Sequence, residues 1–196
     1  MSGQRAIVIG GSVSGMLAAR VLADHFAKVL LFDRDAFPQP GENRKCVPQG
    51  QHAHALLSSG RQVLEQYFPG FKDELLGQGA LKGSYQSVRW FDNGVYHTRF
   101  DGLEALLVSR PRLEAHLRSR LAALPKVRLV DRADVESLAV DNGSVTGVNV
   151  RSATAEMNLH TANLVVDASG RGSQSPAWLE RMGFPRPKED AVRVGL

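Results

Sequence analysis

The first 33 residues contain the pattern that most restricts the fold. Residues 5–10 form a short apolar run that indicates a buried strand, and residues 13–26 place apolar side chains at helical spacing. A second apolar run, KVLLFD, covers residues 28–33. This order predicts a strand–helix–strand unit with parallel strands and a right-handed crossover.

The turn between the first strand and the helix has the sequence GGSVSG, residues 10–15. It matches the G-x-G-x-x-G pattern of dinucleotide-binding turns except that Ser12 replaces the middle glycine. Serine keeps its N–H and its hydroxyl can bond a phosphate oxygen, but it restricts the backbone if this position requires a positive φ. Taken alone, the motif also fits a strand, a glycine turn and a helix that bind no ligand.

An acidic residue strengthens the nucleotide interpretation. Asp33 ends the second apolar run, 23 residues after Gly10. A carboxylate at this place in a Rossmann-like fold can accept hydrogen bonds from both hydroxyls of an adenosine ribose. It would also repel a 2′-phosphate, which disfavours NADP as the tightly held nucleotide. The combination of motif, strand order and acid predicts a nucleotide site.

The rest of the chain continues in an α/β order. Residues 34–51 contain three prolines and two glycines and predict a long loop, which inside a compact domain usually has a functional role. Helices are predicted at about 52–67, 71–78 and 110–123, strands at 84–91, 95–100, 127–130, 134–140, 144–151 and 154–160, and a final buried strand within 163–173. Asn142-Gly143 predicts that the alternating stretches around it form a β-meander.

Composition excludes several classes of protein. No apolar run approaches the roughly 18 residues that a membrane span needs, and the N-terminus has no signal-peptide pattern. A single cysteine, Cys46, rules out an internal disulfide framework, and the expected location is the cytoplasm. The net charge of +4 is spread along the chain without nucleic-acid-binding motifs, so no nucleic-acid partner is expected.

Two further features offer weaker candidates. His52 and His54 are two residues apart, a spacing that separates their side chains, and no other ligand cluster accompanies them, so no metal site is expected. Cys46 follows Arg44 and Lys45, which could lower its pKa, but nothing like a Cys–His catalytic pair follows. The sequence therefore singles out no catalytic side chain.

Four blocks of the chain, in this order, resemble a known family. They begin with VIGGSVSGMLAARVLADHFAKVLLFDRD, continue with RKCVPQGQHAHALLSSGRQVLEQYFPGF and VSRPRLEAHL, and end with NLVVDASGRGS. The order resembles the N-terminal portion of FAD-dependent monooxygenases of the aromatic-hydroxylase-like kind, closest to actinobacterial FAD-dependent oxidoreductases or epoxidases, with geranylgeranyl-reductase-like proteins as cousins. The likeness covers nearly the whole chain.

The resemblance implies a fold and its division. It implies an α/β chain with a Rossmann-like FAD/NAD(P)-binding domain of the ββα type, a parallel sheet, a three-stranded β-meander and the beginning of a substrate-domain sheet. Residues 1–83 and 101–183 would form the FAD-binding domain, and 84–100 and 184–196 incomplete substrate-domain strands. Because family members run to about twice this length, a missing C-terminal half or a homodimeric partner is expected.

The resemblance also implies site residues. The family places an arginine near the flavin nucleotide at the start of a helix, which matches Arg110, and another in the long loop, which matches Arg44; surface charge is an equal alternative for Arg44. The turn DASGRGS resembles the family's second nucleotide signature, G-A-D-G-x-x-S, with its acid displaced by two residues to Asp167. The implied cofactor-binding residues are Gly10, Gly11, Ser12, Ser14, Gly15, Asp33, Arg34, Arg44, Arg110, Ala168 and Gly170.

The implied function is an oxidoreductase that holds FAD and takes electrons from NAD(P)H as a transient reductant. The favoured reaction is monooxygenation, a hydroxylation or epoxidation of a small organic substrate through a flavin C4a-hydroperoxide. A flavin-dependent reductase of the geranylgeranyl-reductase type or a flavin halogenase is the alternative within enzymes, although no halogenase-type catalytic lysine or Trp-rich motif is found. A non-catalytic FAD-binding fragment is the alternative from another class.

Overall fold

The computed structural model of the chain describes residues 4–44, 50, 52–84, 86, 89–99, 102, 104–190 and 192. They form two compact units. Unit 1 comprises Met1–Ala36 and Pro125–Leu196, and unit 2 comprises Phe37–Leu124. In the part of the chain that the structure describes, no helix has the length and apolar character that a membrane crossing requires.

The two units contain five α-helices and twelve strands among the described residues. The strands are β1 (Arg5–Ile9), β2 (Lys28–Phe32), β3 (Ala55–Leu56), β4 (Leu81–Ser84), β5 (Phe91–Asp92), β6 (Val95–Tyr96), β7 (Glu104–Leu107), β8 (Val127–Val130), β9 (Asp134–Asp141), β10 (Ser144–Arg151), β11 (Met157–Thr161) and β12 (Leu164–Asp167). The helices are α1 (Val13–His25), α2 (Ser58–Tyr67), α3 (Phe71–Gly77), α4 (Arg110–Ala122) and α5 (Ser175–Arg181), with a short 3₁₀ turn at Gly170–Gly172.

Unit 1 is built on a parallel sheet of four strands in the order β12-β1-β2-β8. The register aligns Ile9 with both Phe32 and Asp167, so β1, β2 and β12 reach the same edge of the sheet. Because the strands are parallel, their carboxyl ends all lie on that edge. The edge therefore collects the turn after β1, the acid after β2 and the turn after β12.

Each face of the parallel sheet is covered by a different layer of unit 1. Alternate side chains of β1 and β2, among them Ile7 and Phe32, share a core with the antiparallel sheet β9-β10-β11 and with Trp178 of α5. The other set, which includes Val8 and Leu31, is fully buried beneath α1. Burial of both faces explains why these strands are continuous apolar runs.

Unit 2 combines three helices with a small antiparallel sheet in the order β3-β7-β4. Its core is made of buried apolar side chains from α2, α3, β7, α4 and adjoining turns. They are Leu64, Phe68, Phe71, Leu75, Ala80, Leu106, Val108, Leu113, Leu117 and Leu121. The separate hairpin β5–β6 turns at Asn93-Gly94, both with positive φ, and exposes Phe91 and Tyr96.

The predicted α/β class, with its parallel sheet and its β-meander, is confirmed. The helix predicted at 52–67 is wrong at its start, because residues 55–56 pair with β7 as a strand and the helix begins at Ser58. The third meander strand begins at Met157 instead of residue 154, after a turn in which Ala155 has positive φ. The strand predicted at 84–91 is also wrong in extent: Ser84 ends β4 and Phe91 begins β5, and the described residues between them, 86, 89 and 90, lie in no strand.

The division into cofactor and substrate domains stays a prediction. Residues 184–190 and 192, the described part of the C-terminal segment, lie in neither a helix nor a strand.

We expect the free energy of unfolding to fall as the pH is lowered from 7.5 to 5.5, because two histidines have lowered pKa values in the folded chain. Burial is the main cause of a lowered pKa for His116 in unit 2, where Glu74 opposes the effect, and for His160 in unit 1, where nearby cations add to it. The unfolded chain therefore binds protons below about pH 6.5 that the folded chain does not, so the free energy of unfolding decreases as the pH falls.

Urea unfolding at the two pH values measures this change. His116→Gln should reduce the pH dependence of the unfolding midpoint. An unfolding midpoint that does not move between pH 7.5 and 5.5 would contradict the prediction.

Candidate functional site

The glycine turn of unit 1 packs directly against the turn that follows β12. The Gly10 N–H donates to the Phe32 carbonyl at 2.8 Å, and the Ala168 N–H donates to the Ile9 carbonyl at 2.8 Å. Gly10 has a φ of +103°, and a Cβ there would lie 2.6 Å from the Ala168 carbonyl oxygen. Only glycine fits this position.

The last glycine of the motif is required by the helix. Gly15 lies in the first turn of α1, and a Cβ there would lie 1.8 Å from the Gly10 carbonyl oxygen. The start of α1 therefore sits as close to the turn as backbone atoms allow. This is the geometry by which the motif brings a helix N-terminus up to a phosphate group.

Ser12 does not disturb this geometry. It is the residue before α1, with φ −84° and ψ −177°, an extended conformation that any residue adopts. The restriction expected for serine at a position of positive φ therefore does not apply. Its side chain makes no hydrogen bond to cap the helix. Ser12 is half-buried and Ser14 is exposed, so the two hydroxyls flank a helix end whose first N–H groups a ligand could use.

The position of the turn in the sheet also fits a nucleotide site. In the order β12-β1-β2-β8 the chain runs from β1 to β2 on one side, and returns to β12 on the other. Ligands of open parallel sheets bind outside the carboxyl ends of the strands at the point where this direction reverses. That point lies between β1 and β12, where the turn at Gly10 meets Ala168.

Asp33 faces the glycine turn. Its carboxylate is buried, with 5% of the residue exposed. One oxygen accepts the Gly11 N–H at 2.6 Å and the other accepts the Asp35 N–H at 2.9 Å. Each carboxylate oxygen can accept more than one hydrogen bond. The acid therefore fixes the turn and lies at the edge of the sheet where a ribose would lie.

Arg34 is exposed and lies beside the turn that follows β12. Two of its guanidinium nitrogens are 3.9 and 4.0 Å from the place that a Cβ of Gly172 would occupy. The structure thus brings together, within unit 1, nine of the residues predicted for the site. They are Gly10, Gly11, Ser12, Ser14, Gly15, Asp33, Arg34, Ala168 and Gly170.

A serine network that the sequence interpretation missed organises the turn after β12. One oxygen of Asp167 accepts the backbone N–H of Ser169 at 2.9 Å and its hydroxyl at 2.5 Å. The other oxygen accepts the hydroxyl of Ser173 at 2.5 Å and that of Ser175. Burial acts to raise the pKa of Asp167, but these hydrogen bonds together outweigh it and hold the pKa below its ordinary value.

The network gives a structural role to Asp167, the acid that lies two residues away from its usual place in the family's second nucleotide signature. Asp167 stays ionised and ties three serines into one turn, whose Ala168 carbonyl is the atom that excludes a side chain at Gly10. The recurrence of serine at positions 169, 173 and 175 after an acid at a strand end was the available signal.

The two predicted arginines of unit 2 lie together. Arg44 and Arg110 line one cavity of about 10 Å³, with Glu42, Asn43, Glu114, Gly50 and two prolines completing its wall. That volume is about the space of one water molecule. Helix α4 also anchors the preceding loop, because Arg118 donates to the Pro38 carbonyl at 2.8 Å and lies over the Phe37 ring.

Neither of the two candidate histidines lines this cavity. His52 is exposed, and Nδ1 of His54 lies 3.0 Å from the Val108 carbonyl oxygen, to which it donates. Among the described residues, no group of three or more His, Cys, Asp or Glu side chains could hold a metal ion. Lys45 and Cys46 lie outside the described residues.

Comparison with solved structures confirms the fold. The chain matches the FAD-dependent chondrochloren halogenase CndH, a myxobacterial enzyme, with a TM-score of 0.64 and 22% identity over 87% of this chain and 38% of that one. It matches p-nitrophenol 4-monooxygenase PnpA from Pseudomonas putida DLL-E4 with a TM-score of 0.63 and 15% identity, over 90% of this chain and 44% of that protein. A geranylgeranyl bacteriochlorophyll reductase-like protein from Thermoplasma acidophilum gives a TM-score of 0.60 and 18% identity, over 90% of this chain and 42% of that protein.

The class that the fold defines follows from these matches. The chain has the Rossmann-like fold found in FAD-dependent monooxygenases and halogenases, and it corresponds to a part of those proteins. The resemblance deduced from the sequence is confirmed at that level.

A curated relative is more similar in sequence. Protein Rv3254 of Mycobacterium tuberculosis (strain ATCC 25618 / H37Rv) is 36% identical over 203 residues, which are 97% of this chain and 43% of the relative. The chain thus spans less than half the length of that protein. No protein-family model matches the sequence.

Proposed function

We propose that the chain binds FAD, with the glycine turn and the N-terminus of α1 receiving the pyrophosphate. The observation that carries the proposal is the meeting of the Gly10–Gly15 turn with the Ala168 turn at the reversal point of the sheet, with the Asp33 carboxylate facing the same turn. The fold shared with FAD-dependent enzymes supports it.

In this proposal, different residues of unit 1 contact different parts of the nucleotide. Gly10 and Gly15 let backbone atoms approach closely, and the Ser12 and Ser14 hydroxyls add donors near the free N–H groups of α1. Asp33 accepts hydrogen bonds from the ribose, and Arg34 supplies positive charge for the nucleotide.

The other proposed contacts rest on different support. Within unit 1, Ala168 holds the turn after β12 against the glycine turn, and Gly170 has a positive φ of +75° in the turn after β12. Arg44 and Arg110 of unit 2 are proposed to contact the nucleotide on the sequence resemblance alone.

The proposed reaction is monooxygenation of a small organic substrate, with NAD(P)H as transient reductant. Bound FAD supplies the chemistry of oxygen transfer, and the protein supplies binding, orientation and exclusion of water. No acid–base side chain of this chain is assigned to the reaction. A cytoplasmic location and completion by a C-terminal half or a second copy belong to the same proposal.

Two other reactions have a specific observation in their favour. The fold likeness to CndH supports a flavin halogenase, and the likeness to the Thermoplasma protein supports a flavin-dependent reductase. A non-catalytic FAD-binding chain would share the cofactor and lack turnover.

An absorption spectrum tests the cofactor. The purified chain is incubated with FAD and freed of unbound nucleotide, and its flavin absorption band should then correspond to nearly one FAD per chain. A protein that retains no FAD would refute the proposal. Oxygen consumption with NAD(P)H then separates a monooxygenase from a reductase, whose substrate turnover needs no oxygen, and halide dependence identifies a halogenase.

A further inference from the structure

The carboxylate at the end of β12 closes a loop of unit 1. Asp167 accepts hydrogen bonds from one backbone N–H and three serine hydroxyls within the described part of the chain. One of its oxygens binds Ser169, two residues along the chain. The other binds Ser173 and Ser175, just before and at the first residue of α5. The side chain therefore joins the turn after β12 to the helix that follows it.

The loop that Asp167 closes is exposed between two anchored ends. Strand β12 is paired with β1 in the parallel sheet, and α5 places Trp178, 6% exposed, in the core of unit 1. Residues 169–172, which lie between them, are all exposed. Burial of apolar side chains cannot hold such a segment, so its conformation depends on hydrogen bonds. The Asp167 carboxylate receives such bonds from both ends of the segment.

The same loop begins with the backbone that supports the glycine turn. A Cβ at Gly10 would lie 2.6 Å from the Ala168 carbonyl oxygen and 3.0 Å from the Ser169 Cα. A Cβ at Gly15 would lie 3.5 Å from the Ala168 Cβ. The glycine turn and the start of α1 thus pack against the first two residues of the loop. Movement of the loop would remove this support from the turn.

The charge of Asp167 favours a positioning role over direct contact with a phosphate group. Asp167 is aligned with Ile9, the residue before the glycine turn, and a carboxylate there repels an anionic ligand. Burial opposes its ionisation, but the serine hydrogen bonds outweigh burial and keep its pKa below the ordinary value. Hydrogen bonds to an ionised acceptor are roughly twice as strong as neutral ones. The charge therefore tightens the loop.

We propose that Asp167 is a positioning residue of the nucleotide site: through its serine hydrogen bonds it holds Ala168 against Gly10 and thereby fixes the glycine turn that receives the pyrophosphate. The inference rests on the proposed binding of FAD, and the residues that it uses all belong to unit 1. Asp167 itself does not touch the cofactor. A carboxylate that only stabilised its own loop would raise the free energy of unfolding without affecting the glycine turn or the affinity for FAD.

Amide hydrogen exchange of the full chain without nucleotide tests the link between the two turns. In Asp167→Ala the loop loses its closing hydrogen bonds, so the N–H groups of Gly10 and Gly11 should exchange about tenfold faster than in the wild type. Exchange in β10 should accelerate no more than the loss of unfolding free energy, measured with urea, requires. Unchanged exchange at both glycines, or an equal acceleration in β10, would overturn the inference.

A double-mutant cycle tests the effect on binding. FAD affinity is measured by quenching of flavin fluorescence for the wild type, Asp167→Ala, Ser173→Ala and the double variant. Asp167→Ala should weaken FAD binding by about tenfold and Ser173→Ala by about threefold. The double variant should bind no more weakly than Asp167→Ala, because the hydroxyl acts through the carboxylate. Asp167→Asn keeps one acceptor oxygen and should recover part of the affinity that Asp167→Ala loses.

A matched control comes from the β-meander of the same unit. The Ser137 hydroxyl accepts a hydrogen bond from the Asn149 Nδ2 at 3.0 Å, in a half-buried place outside the two turns. Ser137→Ala should reduce stability slightly and bind FAD as the wild type does. Urea unfolding identifies any variant that fails to fold. If Asp167→Ala does not fold, Asp167→Asn and Ser173→Ala carry the test.

The outcomes separate the inference from the proposed function. If the wild type does not bind FAD, both are refuted. If the wild type binds FAD and the folded Asp167 and Ser173 variants bind it equally well, or if the two substitutions are additive, the positioning role alone is refuted.

Discussion

Gly15→Ala is expected to be among the most damaging single substitutions in unit 1. The added Cβ would lie 1.8 Å from the Gly10 carbonyl oxygen and 3.0 Å from its carbonyl carbon, both backbone atoms that no rotamer change can move. Helix α1 must therefore shift away from the turn. We expect a loss of about 3 kcal/mol or more in the free energy of unfolding, and loss of FAD binding in the protein that remains folded.

Urea unfolding and FAD titration measure the two effects. Gly77→Ala is the matched control, because it lies at the end of α3 with no atom within 4 Å of the new Cβ. It should leave stability unchanged or raise it by up to about 1 kcal/mol. A Gly15→Ala protein with wild-type stability and affinity would show that the close approach of α1 to the turn is not required.

Asp33→Ala is the second substitution with a large expected effect. It leaves the Gly11 and Asp35 N–H groups without their carboxylate acceptor in a buried place, at an expected cost of about 2–4 kcal/mol. It also removes the proposed acceptor of the ribose hydroxyls, so FAD binding should weaken by about tenfold or more.

The same two measurements separate the structural role of Asp33 from its binding role. Asp24→Ala, which removes an exposed ion-pair partner on α1, should cost no more than about 0.5 kcal/mol and leave FAD affinity unchanged. A folded Asp33→Ala protein that binds FAD as tightly as the wild type would refute the ribose contact, even if its stability is reduced.

The sequence predicted the parts of the site that local chemistry determines. A strand, a glycine turn, a helix and a terminal acid form a contiguous segment, and the parallel β1–β2 pair follows from it. The doubt about Ser12 arose because sequence does not reveal φ, and its extended conformation removes that doubt.

Other parts depended on contacts that sequence spacing does not encode. The predicted start of helix α2 was wrong, because Ala55 and Leu56 pair with the distant strand β7 and this pairing overrides their helical pattern. The Asp167 network depends on three hydroxyls that converge only when the turn has closed. The burial of Glu114 and its hydrogen bond from Arg110 are likewise visible only in the folded chain.

A comparison of three nucleotides tests the central claim most directly. If the glycine turn and Asp33 bind the adenosine diphosphate part of FAD, calorimetric titration of the chain should show binding of FAD, competition by ADP and no binding of FMN, which lacks the adenosine. Binding of FMN as tight as that of FAD, or no competition by ADP, would contradict the account.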